Sequence, residues 1–310
     1  MDHEGRTFLL RSALFLLPLL LLFVYTESFL RNIPSTYGIK KSALERQLKD
    51  IEVLALGASH TFFGVDPALF SRKGFNLADQ SQSFFYDNAL VKKYAKEMPQ
   101  LRCVLLDASY FSLGYELHDS PEVWRDYFYY NIWGVRHPEL TLDSRAYSYL
   151  MLYTSQSALG YLLHGAPSWS ELDETGWYRV DVGSPVTTVR GKERVAYHSG
   201  LIREENYAKN MEYLREMLSM LKGRGVGVGI VSPPTNEAYY QFLDPSVERK
   251  NEALFGGLCQ AYGCLRFDYS RDGRFTALEL FRDNDHLNAL GAEKFSTILD
   301  KEVLPKICHE

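Results

Sequence analysis

Ser59, in the stretch LALGASHTFFGVDP (residues 54–67), directly follows an apolar run and sits among small residues. A serine hydroxyl is a weak nucleophile near neutral pH and needs a base within hydrogen-bond reach. Far along the chain, in LFRDNDHLNALGAEKFS, Asp283 and His286 are spaced Asp-x-x-His just before an apolar helical pattern. An aspartate three residues before a histidine, in a loop that turns back, can reach the ring's far nitrogen and fix its tautomer. Ser59, His286 and Asp283 therefore have the residue types for acyl transfer through a serine. Backbone N–H groups at a helix start after Ser59 would favour a developing oxyanion.

Neighbouring residues read differently. His60 follows the serine directly, and adjacent side chains at a helix start diverge, so it is not the expected base. Asp285, directly before His286, has little room to fold back and is expected to face solvent or cap the last helix. Asn288 is the expected cap of that helix. His118, His137, His164 and His198 show no paired metal-ligand spacing, so no metal and no cofactor is expected.

The elements that must position these groups follow from the hydropathy pattern. Short apolar runs at 51–56, 74–78, 102–107, 226–232 and 264–270 read as strands. Helical patterns cover 86–98, 204–222, 247–262 and the region from Ala289. Strands separated by helices imply βαβ units and a parallel sheet covered on both faces, with ligands at the carboxyl ends of its strands. That places Ser59, the 78–83 loop, the 107–110 loop, the 232–236 loop and the segment after Ser270 near the site. Asn236, at a strand's carboxyl end, is a pocket candidate.

The stretch 112–200 breaks this rhythm. It holds WRDYFYYNIW and other aromatics, and it reads as an insertion over the sheet's active edge, helical in part. Its aromatics would form a cap, a carbohydrate platform, a membrane or partner surface, or an ordinary packed subdomain.

The N-terminus carries 15 uncharged residues, Ser12 to Thr26, inside a 23-residue span from Phe8 to Leu30 whose only charges are Arg11 and Glu27. Such a span crosses a bilayer if its charged ends snorkel. Arg6 and Arg11 precede it, which orients the N-terminus to the cytoplasm and the rest outside. A cleaved signal peptide is the rival reading, but the one small-x-small pair nearby, Thr26-Glu27-Ser28, is a poor cleavage site. The expected organisation is an anchor over 1–30, a linker and lead-in helix over 31–50, and one domain over 51–310 with the 112–200 insertion. A formal charge of −5 without a basic block excludes a nucleic-acid partner. In an exported domain Cys103, Cys259, Cys264 and Cys308 could pair, or remain buried thiols; spacing does not decide.

LGASHT, FNLADQSQS and DNDHLNALGAEKF together resemble the first, second and fifth sequence blocks of the SGNH (GDSL-like) hydrolase superfamily. The resemblance implies a flavodoxin-like three-layer α/β/α fold. It also implies a triad of Ser59 as nucleophile, Asp283 as acid and His286 as base. The second block here lacks the glycine whose N–H serves the oxyanion, so a backbone donor from Ser81 or Gln82 would replace it. The third block, LLDASYFS, lacks the usual asparagine, leaving Ser109 and Tyr110 as donor candidates. A single anchor with an exported domain resembles the teichoic-acid D-alanyl transfer branch and the branch that acetylates exported polysaccharides. That resemblance implies an O-acyltransferase, a multi-span membrane O-acyltransferase partner on the acyl-donor side, and a polysaccharide or polyol acceptor. A deacetylase or esterase with the same triad, and a non-catalytic glycan-binding component of an export complex, are the alternatives.

Overall fold

The computed structural model describes residues 3–139, 170–181 and 183–308, together with Gly160, Leu163 and Gly165. The middle of the 112–200 stretch and His164 lie outside the described residues. The chain divides into two compact units, Met1–Ser35 with Trp124–Trp169, and Thr36–Val123 with Ser170–Glu310.

In the first unit α1 (His3–Arg31) is, among the described residues, the one helix long and apolar enough to cross a membrane. Leu14 to Leu22 expose their side chains, as residues facing lipid would. At its end Arg31 pairs with Glu27 at 2.7 Å and donates to Asn131 at 3.3 Å.

The second unit carries α2 (Thr36–Gln47), then β1 (Val53–Leu56), α3 (Ser59–Gly64), β2 (Gly74–Asn76), α4 (Phe84–Tyr94) and β3 (Cys103–Asp107). It continues with α5 (Thr188–Leu201), α6 (Glu204–Gly223), β4 (Gly227–Ser232), α7 (Glu237–Tyr240), α8 (Pro245–Tyr262) and β5 (Leu265–Asp268). The final helices are α9 (Ala289–Ile298) and α10 (Leu304–Ile307). The five strands form one parallel sheet in the order β2-β1-β3-β4-β5. This is the flavodoxin-like order, whose switch point lies between β1 and β3.

Strand burial explains why the sequence showed apolar runs instead of alternation. Val53, Ala55, Cys103, Leu105 and Val231 face a core completed by Phe295, Leu299, Val303, Leu304 and Ile307 from the C-terminal helices. Leu54, Leu56, Val104, Leu106 and Ile230, of the other parity, are equally buried, and α6 packs onto α4 and β4. Both faces of β1, β3 and β4 are covered, so their central positions are apolar, whereas edge strand β5 carries Arg266 and Asp268 and is only partly buried. Burying Phe295 alone contributes roughly 2–3 kcal/mol. Gly227 is required by close approach: a Cβ there would lie 1.8 Å from the Ile307 carbonyl oxygen.

Within this unit the 112–200 stretch contributes several side chains to the core while much of 179–200 stays exposed. Thr175 accepts the Asn76 N–H at 2.7 Å, continuing the β2 edge. Trp177 is buried and donates its indole N–H to Phe63 O at 2.8 Å, and Tyr178 stacks on Phe62. These two aromatics are packing residues. Two disulfides, Cys103–Cys308 and Cys259–Cys264, use all four cysteines. The first ties β3 to the C-terminus across 205 residues.

Candidate active site

β1 ends at Leu56, and the chain must turn at once to begin α3. Gly57 makes that turn with φ +131°, and a Cβ there would lie 2.1 Å from Asp107 Cβ. Only glycine fits both demands. Its N–H donates to Asp87 Oδ1 at 3.0 Å, which pins the turn from α4. Ser59 then opens α3, partly exposed at the carboxyl end of β1, with Asp107 and Ser109 at the end of neighbouring β3. The helix is only six residues long, so oxyanion stabilisation there must come from individual N–H groups rather than a macrodipole.

The 281–288 segment returns to this point from the opposite end of the chain. An isolated bridge between Phe281 and Leu287 and the Arg282 N–H···His286 O bond (2.9 Å) fold it into a tight loop. Asn288 caps α9 by accepting from Gly291 N at 3.0 Å, the role its sequence position implied. His286 Nε2 lies 2.8 Å from Ser59 Oγ. His286 Nδ1 lies 2.9 and 3.0 Å from the two oxygens of Asp283. Asp283 Oδ1 also accepts the backbone N–H of Asp285 and of His286, so its carboxylate cannot swing away. Burial opposes its ionisation, but its pairing with the His286 ring and the bonds from the His286 side chain and backbone hold Asp283 below the usual carboxylate range. Ser59, His286 and Asp283 thus form one continuous hydrogen-bond chain.

Asp285 is not where the sequence reading put it. It neither faces solvent nor caps α9; it is 1% exposed. Its two oxygens take Arg194 Nε at 3.0 and 3.1 Å. His60 Nε2 lies 3.3 Å away, His286 Nδ1 3.7 Å and His198 Nε2 3.8 Å. Burial works against its charge, yet His286, His60, His198 and Arg194 together hold it well below the usual carboxylate range. His198 is pushed well below the histidine range, first by burial and then by Arg194, His60 and His286, with Asp285 opposing. Its Nδ1 lies 2.6 Å from the Tyr239 hydroxyl. Arg194 and His198 come from α5, in the stretch without strand–helix rhythm, and sequence reasoning missed both. The i, i+4 spacing of Arg194 and His198 on one helix was the available signal.

The remaining sequence candidates separate. Ser81 sits in a turn with φ 60°, its carbonyl accepts the Tyr115 hydroxyl, and its N–H has no hydrogen-bond partner among the described residues. Gln82 is occupied: its backbone N–H goes to Asp79 O and its side-chain amide to Asp87 Oδ1 and Leu77 O. Ser109 donates its one proton to Asp107 Oδ1 at 2.5 Å and therefore has none to offer an oxyanion. The Tyr110 hydroxyl lies 3.4 Å from both Ser199 Oγ and the Asp244 N–H. Asn236 caps α7, accepting from Ala238 N at 2.9 Å, and lines not the cavity beside His60 but a separate one of about 370 Å³ with Thr188, Tyr240 and Arg271. The cavity beside His60, about 420 Å³, opens at the ends of β3, β4 and β5, with His60, Ser109, Tyr110, Tyr239, Phe255 and Arg266 in its wall.

His60, Asp285 and His286 offer ligand atoms within 4.8 Å of one another. These donors are already engaged: Arg194 holds both Asp285 oxygens, and His286 is bonded at both nitrogens. A cation would have to displace a guanidinium, so the donor set does not fit a metal.

No family model and no curated protein matches the chain. Among solved structures, a Bacteroides fragilis protein assigned as an acylhydrolase aligns over 86% of this chain and 96% of its own. Its identity is 10% and its TM-score 0.41. A GDSL-like lipase from Bacteroides thetaiotaomicron aligns over 88% of this chain and 100% of its own, at 11% identity and TM-score 0.43.

Proposed function

We propose that the chain is a membrane-anchored, exported serine acyl enzyme of the SGNH type that transfers an acyl group to a hydroxyl of a cell-envelope polysaccharide. The observation that carries this reading is the Ser59–His286–Asp283 chain, with contacts of 2.8 and 2.9 Å. His286 Nε2 takes the Ser59 proton as Oγ attacks the acyl carbonyl. Asp283 holds the Nδ1–H and stabilises the imidazolium. The backbone N–H groups of Ser59 and Ser81 are the assigned oxyanion donors, each worth roughly 10²-fold or more. His286 then protonates the leaving group, leaving acyl-Ser59. An acceptor hydroxyl gives its proton to His286 and attacks that ester, restoring Ser59.

Two further observations support export and transfer. The disulfides fit an oxidising compartment. The α1 helix would hold the domain beside a multi-span membrane acyl-transfer partner at high effective concentration. The test is partition: the full chain in lipid discs, charged with an activated acetyl ester, is offered an oligosaccharide acceptor. Acetylated oligosaccharide in excess of free acetate supports transfer. Free acetate alone, at every acceptor concentration, would make the chain an esterase instead.

A further inference from the structure

His60 is buried at 4% exposure and belongs to no step of the mechanism above. Its hydrogen bonding nevertheless fixes its protonation. The single proton of Ser109 goes to Asp107 Oδ1, so at 2.9 Å His60 Nδ1 must be the donor to Ser109 Oγ. On the other side Nε2 faces Asp285 Oδ2 at 3.3 Å, close but off the line of a good hydrogen bond. That carboxylate is an acceptor only, and a bare nitrogen lone pair against it would be repelled. Both ring nitrogens therefore carry protons.

The surroundings are consistent with a charged ring. Asp107 and Ser109 face it from the end of β3, with Phe111 beyond them at a ring separation of 6.1 Å. Asp285 and His286 face it from the 281–288 loop, and Arg194 and His198 from α5. Burial works against the charge, but Asp285 and Asp107 outweigh it, with Arg194 opposing, and raise His60 above the histidine range. The His60 ring is stacked on His286 with centroids 4.7 Å apart.

We infer that His60 is a buried imidazolium, a positioning residue whose charge keeps the catalytic His286 neutral and able to accept a proton. This inference rests on the triad reading above. Two carboxylates approach His286 Nδ1, Asp283 at 2.9 Å and Asp285 at 3.7 Å. Both favour a charged ring, and a ring already charged is no base. The cations His60 and Arg194 offset one of them. At 4.7 Å and an effective dielectric constant of ~25–50, one unit charge moves such an equilibrium by about one to two pH units.

The experiment is a nitrogen-NMR titration of the histidine rings in the full chain in detergent, wild type beside His60→Gln. In the wild type both His60 nitrogens remain protonated at pH 7.5, and in His60→Gln the His286 titration moves up by about one to two units. Arg194→Gln, which keeps a side-chain N–H to offer Asp285 from a site a third exposed, moves it in the same direction. The acid limb of acyl-enzyme formation follows the same shifts, whereas a purely structural role would lower the rate at every pH and leave the limb in place. A single protonated nitrogen on wild-type His60, or a His286 titration unmoved in both variants, overturns the inference. The NMR readout needs no substrate, so absence of any Ser59 adduct would refute the acyl-enzyme reading separately.

Discussion

Replacing Asp285 by asparagine tests the buried charge cluster behind the triad. The carboxylate is 1% exposed and joins Arg194, His60 and His198 to the reaction centre. Removing one member of a buried ion pair costs about 3–5 kcal/mol, because the other charge is left without a partner. Arg194 is a third exposed and can turn toward water, so the cost falls to about 2–4 kcal/mol. At about 2–4 °C per kcal/mol for a chain of this size, Tm should drop by about 5–12 °C. The pH dependence has a definite sign. Asp285 is held below its unfolded value, so its contribution is complete above about pH 4 and is lost as pH falls further. Thermal unfolding of both proteins in detergent from pH 3 to 8 measures it: a constant gap from pH 5 to 8 that narrows below pH 4. Asp283→Asn is the contrast. Its carboxylate is 27% exposed, so Tm should move little while acyl-enzyme formation falls about 10⁴-fold through the reversed tautomer. An unchanged Tm in Asp285→Asn, or a larger rate loss there than in Asp283→Asn, would refute this division of labour.

Three other outcomes follow from the geometry. Gly57→Ala meets both a positive φ and a 2.1 Å contact with Asp107, so it should cost about 2 kcal/mol or more, seen as a lower Tm or loss of soluble protein. Replacing Cys103 and Cys308 by serine opens a closure of 205 residues and should cost about 2–5 kcal/mol. The Cys259–Cys264 pair, five residues apart, should cost less, and denaturant titration of the two double variants ranks them. Asp87 is pushed up to about 7 by burial and by Asp107, against the opposing bonds from Gln82 and Gly57. Its folded value lies above its unfolded one, so the wild type loses stability as pH rises from about 4 to 7. Asp87→Asn keeps the acceptor for Gly57 and should therefore be more stable than wild type at pH 8, by about 2–4 kcal/mol, with no advantage at pH 4.

The sheet was legible because the central parallel strands, buried on both faces, leave nearly unbroken apolar runs; the edge strand β5, with Arg266 and Asp268, was legible from its place between helical patterns, and all five runs became strands. The pairing of Ser59 with Asp283 and His286 was legible because each lies just past a sheet element, where such folds gather their chemistry. What the sequence did not show was which partner each polar group takes, whether that partner is near or far along the chain. Asp285 was judged against its neighbour His286 alone, whereas Arg194, 91 residues earlier, decides its burial. Asn236 was read as a pocket residue from its place after β4; it caps α7 and lines a cavity separate from the one beside His60. Ser109 was offered as an oxyanion donor because nothing local showed that Asp107, two residues back, would claim its proton. The disulfide partners Cys103 and Cys308 meet only because the C-terminal helices pack onto the sheet face that carries Cys103.

The central claim is that Ser59 carries the acyl group. Intact-mass spectrometry of the full chain, quenched within the first turnover on an activated acetyl ester, reads this directly. The account predicts one added acetyl group, mapped to the peptide containing Ser59, absent in Ser59→Ala and slowed by orders of magnitude in His286→Ala. An adduct that persists at the same rate in Ser59→Ala, or no adduct on the wild type under any condition that leaves it folded, would contradict it.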